Sequence, residues 1–221
     1  MNEFIDIFSS SDPTNISTSV KLLLLLTIFS LAPGILILMT SFTRIIIVLS
    51  FVRTSLATQQ MPPNQVLIGI ALFMSFFIMA PTFTEVYEEG LGPLFNEEIT
   101  LDEAYENASI PLKEFMAQHT RQKDLELFLN YTQADPPETI EDIPLTTLVP
   151  AFAISELKTA FQMGFLIFIP FLIIDMAVAS ILMSMGMMML PPVMISLPFK
   201  ILLFVLVDGW YLITQSLLGG F

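Results

Sequence analysis

Apolar residues in this chain come in long unbroken blocks separated by short polar or proline-marked breaks, the pattern of helices that are hydrophobic all round. Lys21 is followed by 22 residues without a charge, "LLLLLTIFSLAPGILILMTSFT", ending at Arg44. That length crosses a hydrocarbon core of about 30 Å. Pro33-Gly34 is expected to bend or break the block, and the apolar pattern continues through "IIIVLSFV" to Arg53. One straight helix over 21–53 would be about 50 Å long, too long to stand upright in a bilayer. The polar turn "TSLATQQMPPNQ" closes at Pro62-Pro63, which no helix crosses intact. Further apolar helices are predicted over roughly 65–84, from Ser155 to about Leu190, and from Val193 to about Leu218 after a second double proline.

The pattern predicts an all-α membrane protein of two hydrophobic helical hairpins (four hydrophobic helices) with an acidic helical extracytoplasmic insert. Its regions are an N-terminal extracytoplasmic segment over 1–20, a first hydrophobic hairpin over 21–84, an acidic extracytoplasmic domain over 85–150, and a second hairpin with a methionine-rich loop over 151–221. Ser30 and Ala32 occupy small-residue positions of a leader cleavage site, but the preceding segment is acidic and a cut would leave Pro33 first, so no cleavage is expected.

Composition agrees. Of the 221 residues, 54% are hydrophobic and 13% charged, against about 45–50% and 25% in soluble domains. There is no cysteine, which excludes disulfides and thiolate metal sites. The net charge is −13, and residues 85–142 hold 15 of the 21 acids but three of the eight bases. Phosphate binding needs clustered Lys and Arg, so nucleic acid is not a partner. Arg44 and Arg53 flank the 54–65 turn and are expected to anchor it at the cytoplasmic surface. The acidic insert and both termini then lie outside.

The second hairpin carries charges where lipid should be. Only 16 uncharged residues separate Lys158 from Asp175, and only seven separate Lys200 from Asp208. Each central charge costs from about 3 to more than 10 kcal/mol against lipid, so these side chains must face protein or water. If the turn centres between Met187 and Pro192, Lys200 falls about 6 Å along the axis from the point facing Asp175, which permits a pair within one chain. Glu156 lies about 35 Å of straight helix from Lys200, so that contact needs a second copy or a strong kink at Pro170. Glu156 and Lys158 point to opposite faces. Ser180, Ser184 and Ala177 form a small-residue face suited to close helix approach. "MSMGMMMLPP" over 183–192 concentrates five of the fourteen methionines beside a double proline, either as flexible core filler or as an adaptable surface.

Three stretches carry a resemblance: "TSFTRIIIVLSFVRTSLATQQMPPNQVLIGIALF" (40–73), "SELKTAFQMGFLIFIPFLIIDMAVASILMSMGMMMLPP" (155–192) and "ISLPFKILLFVLVDGW" (195–210). They resemble the FliP family of the bacterial flagellar export gate, related to the SctR subunits of virulence type III secretion. The insert from 85 to about 147 carries no such stretch. The resemblance implies two helical hairpins per subunit and five copies enclosing a pore with FliQ and FliR, near FlhA and FlhB in the flagellar basal body. Exported flagellar proteins are the implied substrates and the bacterial cell membrane the implied location. In that family the methionine-rich loop forms a gasket in the pore, which places Met187, Met188 and Met189 here. Glu156, Lys158, Asp175, Lys200 and Asp208 are then intersubunit or buried pairs.

Other chemistries fare worse. Asp175 and Asp208 lie in consecutive hydrophobic helices, as in an intramembrane aspartyl protease, but the antiparallel mate of Asp208 falls near residue 171, whereas a shared proton needs carboxylates about 3 Å apart. His119 has no histidine partner and no HExxH. A glycine-rich phosphate loop is also absent, so neither enzyme nor cofactor is expected. A small-solute channel or permease is the remaining alternative, without the internal repeats such proteins usually show.

Overall fold

The computed structural model describes residues 39–221 except 59, 133–136, 138 and 188, together with scattered positions between 23 and 38. Expectations for the 1–20 segment, for much of the first apolar block and for Met188 fall outside the described residues. The chain divides into two units, Met1–Leu38 and Met39–Phe221.

In the first unit the described positions are helical, Pro33 and Gly34 included. The bend or break expected around them involves residues outside the described ones. Proline and glycine are tolerated inside apolar helices where the freed backbone groups can be re-satisfied. Met39–Ser41, at the start of the second unit, are non-helical.

The second unit is all-helical among the described residues. Its helices are α1 (Phe42–Ser55), α2 (Asn64–Val86), α3 (Leu101–His119), α4 (Gln122–Thr132), α5 (Leu145–Ser184), α6 (Pro192–Leu206) and α7 (Gly209–Leu218). A single π turn, Tyr87–Leu91, and a helical turn, Gly92–Phe95, extend α2. Two described helices are long and apolar enough to cross a membrane, Asn64–Phe95 and Leu145–Ser184; α6 and α7 make a third if the pair, bent by 61°, is one span.

Local chemistry explains the ends. α2 starts immediately after Pro62-Pro63, where an orphan N–H is not missed. Thr100 and Glu103 form a reciprocal capping box at the start of α3. α5 begins ten residues before the predicted Ser155 and runs through Pro150 and Pro170, held by fully buried Leu148, Ala151 and Phe152. It stops at Ser184, short of Leu190, because Gly186 takes φ +75 and Met187 N–H turns back to the carbonyl of Leu182. The helix predicted over 193–218 is interrupted at Val207-Asp208, where Asp208 adopts a left-handed conformation.

Two clusters make the core. In the first, Ile45, Val48, Leu49 and Val52 of α1 pack with Leu67 and Ala71 of α2, Ala160 and Phe171 of α5, Phe204 of α6 and Leu217 of α7. α1 thus packs at the centre of this cluster, and Gly164 of α5 lets it approach: a Cβ there would lie 2.4 Å from the Phe51 ring. In the second, Phe115 and Met116 of α3 pack with Met79, Leu148 and Phe152. Phe73, Phe76 and Phe77 on α2 and Val205 and Leu206 on α6 face outward, as suits lipid or neighbouring apolar surface.

Candidate functional site

Two charge pairs of the apolar half pack against α1. Arg44, one turn into α1, is 4% exposed, and Glu156 on α5 is 0% exposed. The Arg44 guanidinium grips that carboxylate with two N–H donors, Nε to Oε2 at 2.8 Å and Nη2 to Oε1. Its remaining arm, Nη1, donates to the carbonyl of Gly220 at 2.7 Å. The ring of Phe221 lies 3.8 Å from the guanidinium carbon. A planar fork with donors on two edges suits this role, and lysine would not replace it.

The second pair lies between α5 and α6. Lys200, 2% exposed, donates to Asp175 Oδ2 at 2.7 Å and to the carbonyl of Ser55 at 3.0 Å. Ser196, one turn before Lys200, donates to Asp175 Oδ1 at 2.5 Å. Both carboxylate oxygens are therefore held, which buried charge requires. Within the chain Glu156 meets Arg44 rather than Lys200, so the buried Glu156 and the half-buried Asp175 each have their own base. Arg44, expected from sequence at the cytoplasmic surface, is buried with its guanidinium against Glu156 of α5. Arg53 is half-buried beside the 54–65 turn, where it donates to the Asn64 side chain and to the carbonyl of Pro62.

A third polar cluster joins the α3–α4 turn to α5. Ser155 donates to Asp124 at 2.6 Å and accepts from the backbone N–H of Arg121 at 3.0 Å, while the Arg121 guanidinium pairs with Asp124. Burial pushes the Asp124 carboxyl up, but Ser155 and Arg121, with Lys158 in support, outweigh it and hold the group below the ordinary aspartate range. Lys158 is exposed. Asp208 is exposed too, at the break between α6 and α7, and forms no ion pair within the chain among the described residues.

The loop between α5 and α6 presents its methionines outward. Met189 is 98% exposed and Met187 38%. Among the described residues no group of three or more His, Asp or Glu could hold a metal ion.

With this geometry in hand, comparison with known proteins is decisive. A model of the FliP family matches residues 24–217. The chain belongs to the FliP family. The flagellar biosynthetic protein FliP of Bacillus subtilis is 78% identical over 221 residues, covering all of both chains. That of Caulobacter vibrioides is 54% identical over 202 residues, 91% of this chain and 76% of its own. The Aquifex aeolicus protein is 50% identical over 210 residues, 94% and 87% of the two chains. The FliP match runs through the acidic 85–150 region, where sequence reading found no resembling stretch.

Several residues that matter to the charge pairs escaped sequence reasoning. Ser196 had a signal, since it sits four residues before Lys200 on one helix face. Ser55 acts through its backbone carbonyl, and Gly220 and Phe221 meet Arg44 only through the packing of α7 against α1, so none of these had one.

Proposed function

We propose that this FliP-family chain is a pore-forming subunit of the flagellar type III protein export gate, passing unfolded flagellar proteins across the cytoplasmic membrane. It is a membrane component of the flagellar export apparatus and not an enzyme. The observation that carries the reading is the full-length similarity to a flagellar biosynthetic protein FliP at 78% identity. In this reading the spans form two helical hairpins, the acidic 85–150 region is extracytoplasmic, and five copies enclose a pore with FliQ and FliR, with FlhA and FlhB nearby.

The gasket is Met187, Met188 and Met189. Unbranched thioethers beside Pro191, exposed at Met187 and Met189, suit a seal that closes against itself and yields to a passing polypeptide of any sequence. Because Glu156, Asp175 and Lys200 are satisfied within the chain, exposed Lys158 and Asp208 are the charges left for contacts between subunits. The test deletes residues 187–189 and measures conductance and export together. An assembled complex that leaks ions and small solutes is the expected result. One that assembles, stays ion-tight and exports normally overturns the gasket role.

A further inference from the structure

α7 leaves the line of α6 by 61° across a break at Val207-Asp208, and that elbow is locally unfavourable. Asp208 has φ 51 and ψ 55, a left-handed conformation that non-glycine residues seldom adopt. Only a residue without a Cβ fits next, since a Cβ on Gly209 would lie 2.3 Å from the Phe204 ring. A strained backbone persists where the surrounding structure holds it.

Two things hold α7 at its far end. Ile213 and Leu217 bury in the same core cluster as α1, which gives attraction without direction. Direction comes from Arg44. It binds the Gly220 carbonyl at 2.7 Å and carries the Phe221 ring at 3.8 Å. Phe221 also stacks on Phe115 of α3, with centroids 6.2 Å apart, and meets the His119 ring at 5.1 Å. The Glu156 pair uses the opposite edge of the guanidinium, so the hold on Gly220 and Phe221 can be released without exposing Glu156.

We propose that Arg44, Gly220 and Phe221 form a latch that keeps α6 and α7 as a broken pair, and that releasing it lets them straighten toward one continuous helix. A straight helix from Pro192 to Leu218 would be about 40 Å long, enough to cross a hydrocarbon core. Both arrangements keep the backbone hydrogen-bonded, as a two-state element within a membrane must. The proposal is independent of where any pore runs.

The chain has no cysteine, so spin labels can be placed at Val193→Cys and Ser216→Cys, both exposed positions, in the full-length detergent-purified protein. With the 61° bend the labelled backbones lie about 30 Å apart, against about 35 Å when straight. A single shorter distance is expected in the parent, and an added longer population of a few tenths of the molecules in Phe221→Ala. Phe221→Leu retains apolar bulk and leaves the Arg44–Glu156 pair untouched, so it folds if Phe221→Ala does not. It should show the longer population too, because the π face over the guanidinium is gone. Parent-like distances in either folded variant overturn the latch.

Discussion

The charge pairs on α1, α5 and α6 and the methionine loop between α5 and α6 belong to one hydrophobic region, yet their relation to water is reversed. Glu156 and Lys200 are 0% and 2% exposed, whereas Met189 is 98% exposed. Each buried ion is met by directed donors or acceptors, including backbone carbonyls. The methionines, which hydrophobicity alone would bury, lie on a turn that Gly186 and two prolines keep out of either helix. Burial here follows partner availability and backbone geometry rather than the polarity of the side chain.

The contrast can be broken most severely at Glu156. Glu156→Ala strands the Arg44 guanidinium and should cost about 3–5 kcal/mol, read as loss of folded yield and of thermal stability in detergent. Arg44→Met with Glu156→Leu, which removes both charges, should recover most of that loss. An equally unstable double variant would show that the pair matters for more than mutual neutralisation.

Lys200→Glu places a second carboxylate beside that of Asp175 and should block assembly, at a similar cost of about 3–5 kcal/mol. The 2.7 Å contact within the chain makes Asp175→Lys the expected rescue. Rescue by Glu156→Lys alone, measured by native size, would instead assign the working contact to two subunits.

Ser155→Ala should have a smaller effect, about 1 kcal/mol, since it removes one bond to Asp124 and one to the Arg121 backbone. The same cluster sets a pH dependence. The Asp124 carboxyl titrates below its ordinary range when folded, so its contribution is complete above about pH 4 and fades as pH falls through the folded value. Ser155→Ala should flatten that acid-side loss in a pH series of melting temperatures, and an unchanged acid limb would remove Asp124 from the account.

The smallest stability change belongs to the loop. Met187→Ala with Met189→Ala should alter unfolding by no more than about 0.5 kcal/mol, because neither side chain is buried, while changing ion leakage. A loss of several kcal/mol would return these methionines to core filler.

Sequence alone determined the elements whose signal is local. Blocks of uncharged apolar residues long enough for a bilayer and double prolines that interrupt helices are readable without neighbours, whereas the stop at Gly186, short of the expected Leu190, was not read. Asp175 and Lys200 were reachable as well, since the positions of two helices around a known turn follow from rise per residue. What only the tertiary structure decided is the set of partners: Arg44 with Glu156, 112 positions apart, Lys200 with the carbonyl of Ser55, and Phe221 over Arg44. Nothing local in the chain encodes these contacts. They exist because α1, α5, α6 and α7 pack into one cluster and α7 bends by 61° at Asp208, and the direction of a chain after a break depends on what it can pack against.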